Sequence, residues 1–164
     1  MDTIARNDKI DLNIGISDSD REAIAQGLSH LLADSYMLYL KSQNYHWNVT
    51  GMHFHSLHEM FEEHYTELAE AVDEIAERIR TIGHYAPGTF KQFAELSNVN
   101  EDTSIPSAED MIKNLVEAHE KTIQTARKLI PVCDSADDEA TLDLATQRLQ
   151  VHSKAAWMLR SHLG

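Results

Sequence analysis

Between Tyr45 and Gly83 the chain reads YHWNVTGMHFHSLHEMFEEHYTELAEAVDEIAERIRTIG, and this stretch constrains the fold more than any other. Leu57, Phe61, His64, Leu68, Val72, Ile75, Ile79 and Ile82 recur every three or four residues, the period of one buried helical face. Ser56 and Glu59 read as a capping-box pair at the start of this helix, and Gly83 as the residue that tolerates left-handed geometry at its end. At about 100° per residue, His58, Glu62, Asp73 and Glu77 fall within an arc of roughly 100° that is rotated well away from the apolar stripe. The helix therefore has a second face to account for.

His58 with Glu62, and Asp73 with Glu77, are spaced i, i+4, so each pair can converge on one ion. The two pairs cannot meet within one chain. Their midpoints are ~15 residues apart, or about 22 Å at 1.5 Å per residue, whereas a metal holds its ligands at roughly 2.0 to 2.5 Å. A two-fold axis near Glu67 and Leu68 would lay a second copy of the helix antiparallel and bring each His58/Glu62 pair opposite the partner's Asp73/Glu77 pair. Ala69 and Ala76 lie inside the ligand arc, where small side chains let two backbones approach. Exposed helices often carry carboxylates at this spacing that merely solvate a face or pair with Lys and Arg. Here Lys and Arg are absent between Tyr45 and Ala76, so the acidic face has no cation of its own.

The motifs YHWNVTG, FHSLHEMFEE and AVDEIAER resemble those of the mini-ferritins, the Dps family named for DNA protection in starved cells, and the likeness extends over nearly the whole chain. The resemblance implies an all-α, ferritin-like four-helix bundle and a two-iron ferroxidase centre shared across a dimer interface. Motif by motif, its ligands fall on His46, His58 and Glu62 of one chain and Asp73 and Glu77 of the other. The family pattern commonly has Asp where this chain has Glu62, which lengthens one ligand arm. The resemblance further implies hydrogen peroxide as preferred oxidant, with oxygen also used, and a hollow shell of twelve chains storing ferric mineral. On the same resemblance Glu59 and Glu63 help nucleate mineral, Asp138 and Asp143 line an acidic entry pore, and Trp47 is a sacrificial electron donor. Zinc is a competitor for the iron ligands, and a solvated acidic face is the bland alternative for Glu59, Glu63, Asp138 and Asp143.

At 164 residues, 42% of them apolar, with six Gly and three Pro, the chain suits one helical domain, read as residues 17–164 after an N-terminal tail of residues 1–16. Cys133 is the sole cysteine, which points to a reducing compartment. The first residues lack an apolar core of signal-peptide length and no run approaches membrane-spanning length, so a cytoplasmic protein is expected, with nucleoid association as a variant. The formal charge of −13 suits attraction of cations and opposes phosphate. In the tail, Arg6 and Lys9 are outnumbered by Asp2, Asp8 and Asp11, a poor anchor for DNA.

The first helix is expected to open at Ser19 with Glu22 as capping partner, to bury Ile24, Leu28, Leu31, Leu32, Leu38 and Tyr39, and to reach Trp47. A hairpin through Gly51 then places His46 near His58. The link from Gly83 to Pro106 is too long for a hairpin and reads as a crossover with a short helix from Phe90 to Leu96. The third helix follows Pro106 with Ser107 and Asp110 as capping signals, and Pro131 should end or kink it. The fourth starts near Ser135. His119 and His152 fall on the apolar stripes of these helices and read as hydrogen-bonded structural histidines, while His53 and His55, in HFHSLH, are ambiguous and could capture a transition metal such as zinc at the surface.

No His has Glu three residues before it, which removes a di-iron site inside a single bundle. P-loop, dinucleotide and HExxH signatures are also absent. The expected function is therefore a ferroxidase that oxidises Fe(II) at a dimer interface. Two alternatives stand beside it: a nucleoid structural protein that protects DNA by binding it, and a metal-capture shell without turnover.

Overall fold

The computed structural model describes residues 11–164. Among these, five helices follow one another: α1 (Asp18–Asn48), α2 (Phe54–Thr81), α3 (Phe90–Leu96), α4 (Ala108–Ser135) and α5 (Glu139–Arg160). α1 pairs with α2 and α4 with α5, the two hairpins meet chiefly through α1 and α4, and the short α3 lies against α1. This is the expected all-α bundle, with the crossover helix at the expected residues. Residues 1–10 of the expected tail lie outside the described residues; Leu12 reaches Gly83, and Ile16 packs against the core.

The core follows from the helical stripes. Ile24, Leu28, Leu31 and Leu38 of α1 meet Leu57, Phe61, Leu68, Ile75 and Ile79 of α2, with Leu115 and Leu129 of α4 and Leu159 of α5 closing the far side. Each such side chain contributes about 1.5–3 kcal/mol when fully removed from water. Asp34, wholly buried on α1, ties the crossover down: it accepts from Ser97 Oγ (2.9 Å), the Asn98 backbone N–H (2.6 Å) and Thr125 Oγ1 (2.5 Å).

Helix ends show where local pattern sufficed. α2 closes as expected through Gly83 at φ 93°, with the Gly83 N–H bonded to Arg80 O and the His84 N–H to Ile79 O. Ser107 caps α4 as expected, accepting from the Asp110 N–H. Three expectations are corrected. α1 is capped by Ser17 with Asp20, two residues before Ser19. α2 begins at Phe54, because Gly51 at φ 118° turns the chain early; Ser56 already lies in the first turn, donating to His53 O. α5, capped by Asp138, begins at Glu139 instead of near Ser135; of the two outcomes expected at Pro131, an end or a kink, the end does not occur, since α4 runs on to Ser135. Burial of Cys133 and Ala136 and the closing bonds Asp138 N–H to Cys133 O and Asp137 N–H to Asp134 O offset the hydrogen bond that proline removes.

Candidate metal centre

The α1–α2 hairpin sets the last turn of one helix beside the first turn of the next. His46 and His58 face each other there, and each ring Nδ1 lies within hydrogen-bond reach of the other residue's carbonyl, at 2.7 Å and 2.8 Å. A carbonyl only accepts, so both Nδ1 atoms carry a proton, an arrangement that leaves Nε2 as the nitrogen able to bind a metal. The rings stack at 3.7 Å between centroids, 16° from parallel. Phe54 stacks on His58 from outside, and Tyr65 meets His46 edge-on.

One turn beyond His58, Glu62 completes a cluster. Ligand atoms of His46, His58 and Glu62 all lie within 4.8 Å of one another, the only group of three or more potential metal ligands among the described residues. Two neutral nitrogens and one carboxylate make a hard–borderline donor set suited to a first-row divalent ion. His46 is buried, His58 half-buried and Glu62 exposed, so the cluster opens to solvent on one side. Asp73 and Glu77 are exposed further along α2 and do not join it. The chain thus assembles three of the five expected ligands. Among the described residues Glu62, Asp73 and Glu77 have no Lys or Arg ion pair.

The fold has counterparts among known proteins. Residues 25–164 match the Ferritin-like domain family. A DNA protection during starvation protein 2 of Bacillus anthracis is 38% identical over 85% of this chain and 96% of its own length. The chain belongs to the Dps family. A Dps protein of Bacillus brevis superposes with a TM-score of 0.87 at 34% identity, covering 91% of this chain and all (100%) of that one. A Dps protein of Vibrio cholerae O1, described as a member of a broad superfamily of ferritin-like diiron-carboxylate proteins, gives 0.86 at 26% identity over 94% of this chain and 100% of its own.

The remaining expected residues of this Dps chain divide by environment. Glu59, Glu62, Glu63, Thr66, Glu67 and Glu70 line one open concavity on α2, which keeps Glu59 and Glu63 beside the cluster. His55 Nε2 lies 3.3 Å from the Glu59 carboxylate, both exposed. Asp138 is engaged elsewhere. Only 3% exposed, it caps α5 through the Thr141 N–H and pairs with Arg78 at 2.8 Å. Its carboxylate is committed within the chain, whereas Asp143 is exposed and, among the described residues, accepts only from Gln147. Trp47 is 62% exposed, so it is no core residue of the single chain.

The two histidines expected to be structural belong to a polar knot inside the bundle that also takes in Arg148 and Glu67. Arg148 donates to His152 Nε2 at 3.1 Å, which leaves the His152 proton on Nδ1, directed to His119 Nδ1 at 2.9 Å. The proton of His119 is then on Nε2, which has no hydrogen-bond partner among the described residues, and the His119 ring meets the His64 ring edge-on, 5.6 Å between centroids at 79°. Arg148 is balanced by a two-pronged bond to Glu67. Burial pushes the pKa of His64 down to about 4 and that of His119 to about 3, and lowers that of His152 well below its ordinary value. These imidazoles are neutral structural groups, as expected for His119 and His152. His64 sits on the apolar stripe in the sequence, but its partners come from helices far along the chain.

Proposed function

We propose that the chain is a ferroxidase: it binds Fe(II) at sites shared between two copies, oxidises it to Fe(III) with hydrogen peroxide, and stores the ferric product inside a hollow cytoplasmic oligomer. The observation that carries this reading is the reciprocal bonding of His46 and His58, which holds two Nε2 lone pairs beside the Glu62 carboxylate before any metal arrives. Such anchoring through the second ring nitrogen orients an imidazole ligand and raises its basicity. Asp73 and Glu77 of a second copy, laid antiparallel about an axis near Glu67 and Leu68, supply the missing anionic oxygens. The imidazoles hold Fe(II), and the carboxylates favour the more highly charged product.

Two Fe(II) ions give up the two electrons that convert one hydrogen peroxide to water. Removing both reactants in this way protects the cell and its DNA from the radicals they form when they meet freely. Oxygen is a slower oxidant, and zinc competes for the same ligands. The acidic concavity with Glu59 and Glu63 beside the cluster supports a role in nucleating mineral, and exposed Asp143 supports an entry pore in a twelve-chain shell. Trp47, exposed at the end of α1, is a sacrificial electron donor on this reading. The net charge of −13 opposes tight direct DNA binding, so protection proceeds through iron.

The decisive experiment is anaerobic Fe(II) titration followed by stoichiometric hydrogen peroxide, with Fe(III) absorbance followed in the wild type and in the His58→Ala, Asp73→Ala double variant. Rapid oxidation that disappears in the variant is expected. Equal rates in both would refute the assignment, and metal binding without any oxidation would leave a capture shell in its place.

A further inference from the structure

A line of tyrosines leaves the His46 cluster along the seam between α1 and α2. The Tyr65 ring meets His46 with centroids 5.2 Å apart, Tyr39 follows 6.1 Å from Tyr65, and Tyr36 lies 5.8 Å from Tyr39. Tyr36 ends stacked on Phe93 of α3 at 4.7 Å. The line has a simple origin. Tyr36 and Tyr39 are three residues apart and share one face of α1, while Tyr65 stands opposite Tyr39 in the register that sets His58 opposite His46. The same register brings Tyr36 level with Leu68, where the proposed two-fold axis crosses α2.

The rings pack along the seam while the phenol oxygens of Tyr36 and Tyr65 reach its solvent edge. All three tyrosines are part-buried, and among the described residues the hydroxyls of Tyr36 and Tyr65 have no hydrogen-bond partner; Tyr39 accepts from Gln43 Nε2 at 3.0 Å. Phenylalanine would pack as well at the first two positions. What a phenol adds is a group that loses and regains one electron and one proton. Trp47, by contrast, makes no ring contact with His46 or His58 among the described residues and faces solvent.

We infer that Tyr65, Tyr39 and Tyr36 form a relay that carries one oxidising equivalent from the His46/His58/Glu62 cluster to the two-fold axis. The inference rests on the iron-oxidising reading and concerns the case in which a cluster holds a single iron. One Fe(II) reduces hydrogen peroxide by one electron, giving Fe(III), hydroxide and a hydroxyl radical. The radical takes a hydrogen atom from Tyr65 and becomes water. Tyr65 recovers an electron from Tyr39 across the ring contact and a proton from solvent, and Tyr39 is restored from Tyr36 in the same way, each donor phenol releasing its own proton as it gives up its electron. At the axis the second copy presents the same three residues in reverse order, which lead to its own cluster. There a second Fe(II) supplies the electron, becoming Fe(III), and a solvent proton restores the last phenol. The sum is two Fe(II) oxidised and one hydrogen peroxide reduced, with no radical released.

The test uses the assembled full-length protein with 3-aminotyrosine in place of Tyr36, a more easily oxidised residue whose radical has its own spectrum. In one arm, without iron, a ruthenium photo-oxidant is tethered through Met52→Cys on the exposed turn between the two cluster helices; buried Cys133 is shielded from the label. Light should produce an aminotyrosyl radical that falls to background with Tyr39→Phe or Tyr65→Phe and survives Tyr85→Phe. No such radical, or one indifferent to both substitutions, overturns the relay. In the other arm, protein loaded anaerobically with one Fe(II) per cluster receives hydrogen peroxide. Fe(III) without a Tyr39-dependent radical overturns the relay while the ferroxidase reading stands. No Fe(III), together with a Tyr39-dependent radical in the light arm, overturns the ferroxidase reading while the relay stands.

Discussion

His46 donates a hydrogen bond to the carbonyl of His58 at 2.7 Å, and His58 returns one to the carbonyl of His46 at 2.8 Å. Because both acceptors are backbone atoms, the tautomer of each ring is set by the hairpin and not by another side chain that mutation could remove. Replacing His46 by Ala leaves the His58 anchor intact and deletes one ligand. Affinity for Fe(II) or Co(II), measured by anaerobic titration calorimetry, should fall about 10–100-fold, while the thermal midpoint changes little. An unchanged affinity would remove His46 from the ligand set.

Shared sites make a prediction that sites within one chain do not. His58→Ala and Asp73→Ala each disable every site in a pure assembly. When the two variants are unfolded, mixed equally and reassembled, a mixed dimer has one doubly damaged site and one intact site. About a quarter of the wild-type oxidation rate should return. No recovery, with mixed assemblies confirmed by mass spectrometry, would place both residues in one chain's site.

The buried imidazoles make stability depend on acid. The folded-state pKa of His64 is about 4 and that of His119 about 3, against 6.5 for an exposed histidine. Between those limits the unfolded chain binds more protons, so stability is complete above pH 6.5 and is lost as the pH falls towards the folded values. The slope reaches about 1.4 kcal/mol per pH unit for each imidazole. Urea midpoints at about pH 7.5 and about pH 5 should therefore differ less in His64→Phe than in the wild type. An equal drop in both would assign the acid sensitivity to other groups.

Asp34 accepts three hydrogen bonds without any water contact. In Asp34→Ala the Ser97 and Thr125 hydroxyls can turn elsewhere, but the Asn98 N–H is stranded. A loss of about 3 kcal/mol is expected in urea unfolding, with hydrogen exchange rising first at residues 89–98. Asp34→Asn, which keeps an acceptor, should lose less.

The two aspartates expected at an entry pore should separate by phenotype. Asp138→Asn weakens the bond to Arg78 and should lower stability, whereas Asp143→Asn should leave unfolding unchanged and slow Fe(II) entry in stopped-flow absorbance. Unchanged iron uptake in Asp143→Asn would remove it from any entry path.

What the sequence determined by itself was local. The apolar stripe from Leu57 to Ile82, the Gly83 terminus, the Ser107 cap and α3 from Phe90 to Leu96 depend on neighbours within one or two helical turns, and the pairing of His58 with Glu62 follows from the same spacing. Even here local rules had near-equal candidates: Ser17 and Ser19 both precede an acidic residue at capping distance, and the folded chain caps α1 with Ser17. Tertiary structure decided whatever depends on facing another helix. It turned His46 and His58 into mutual anchors, carried α4 through Pro131 because Cys133 and Ala136 are buried beyond it, and bound Asp138 to Arg78. It also joined His64, His119 and His152 across three helices, and lined up Tyr65, Tyr39 and Tyr36 along a seam. Spacing along a chain specifies which residues share a face, but the partner of that face lies far away in sequence, and its identity is set by packing alone.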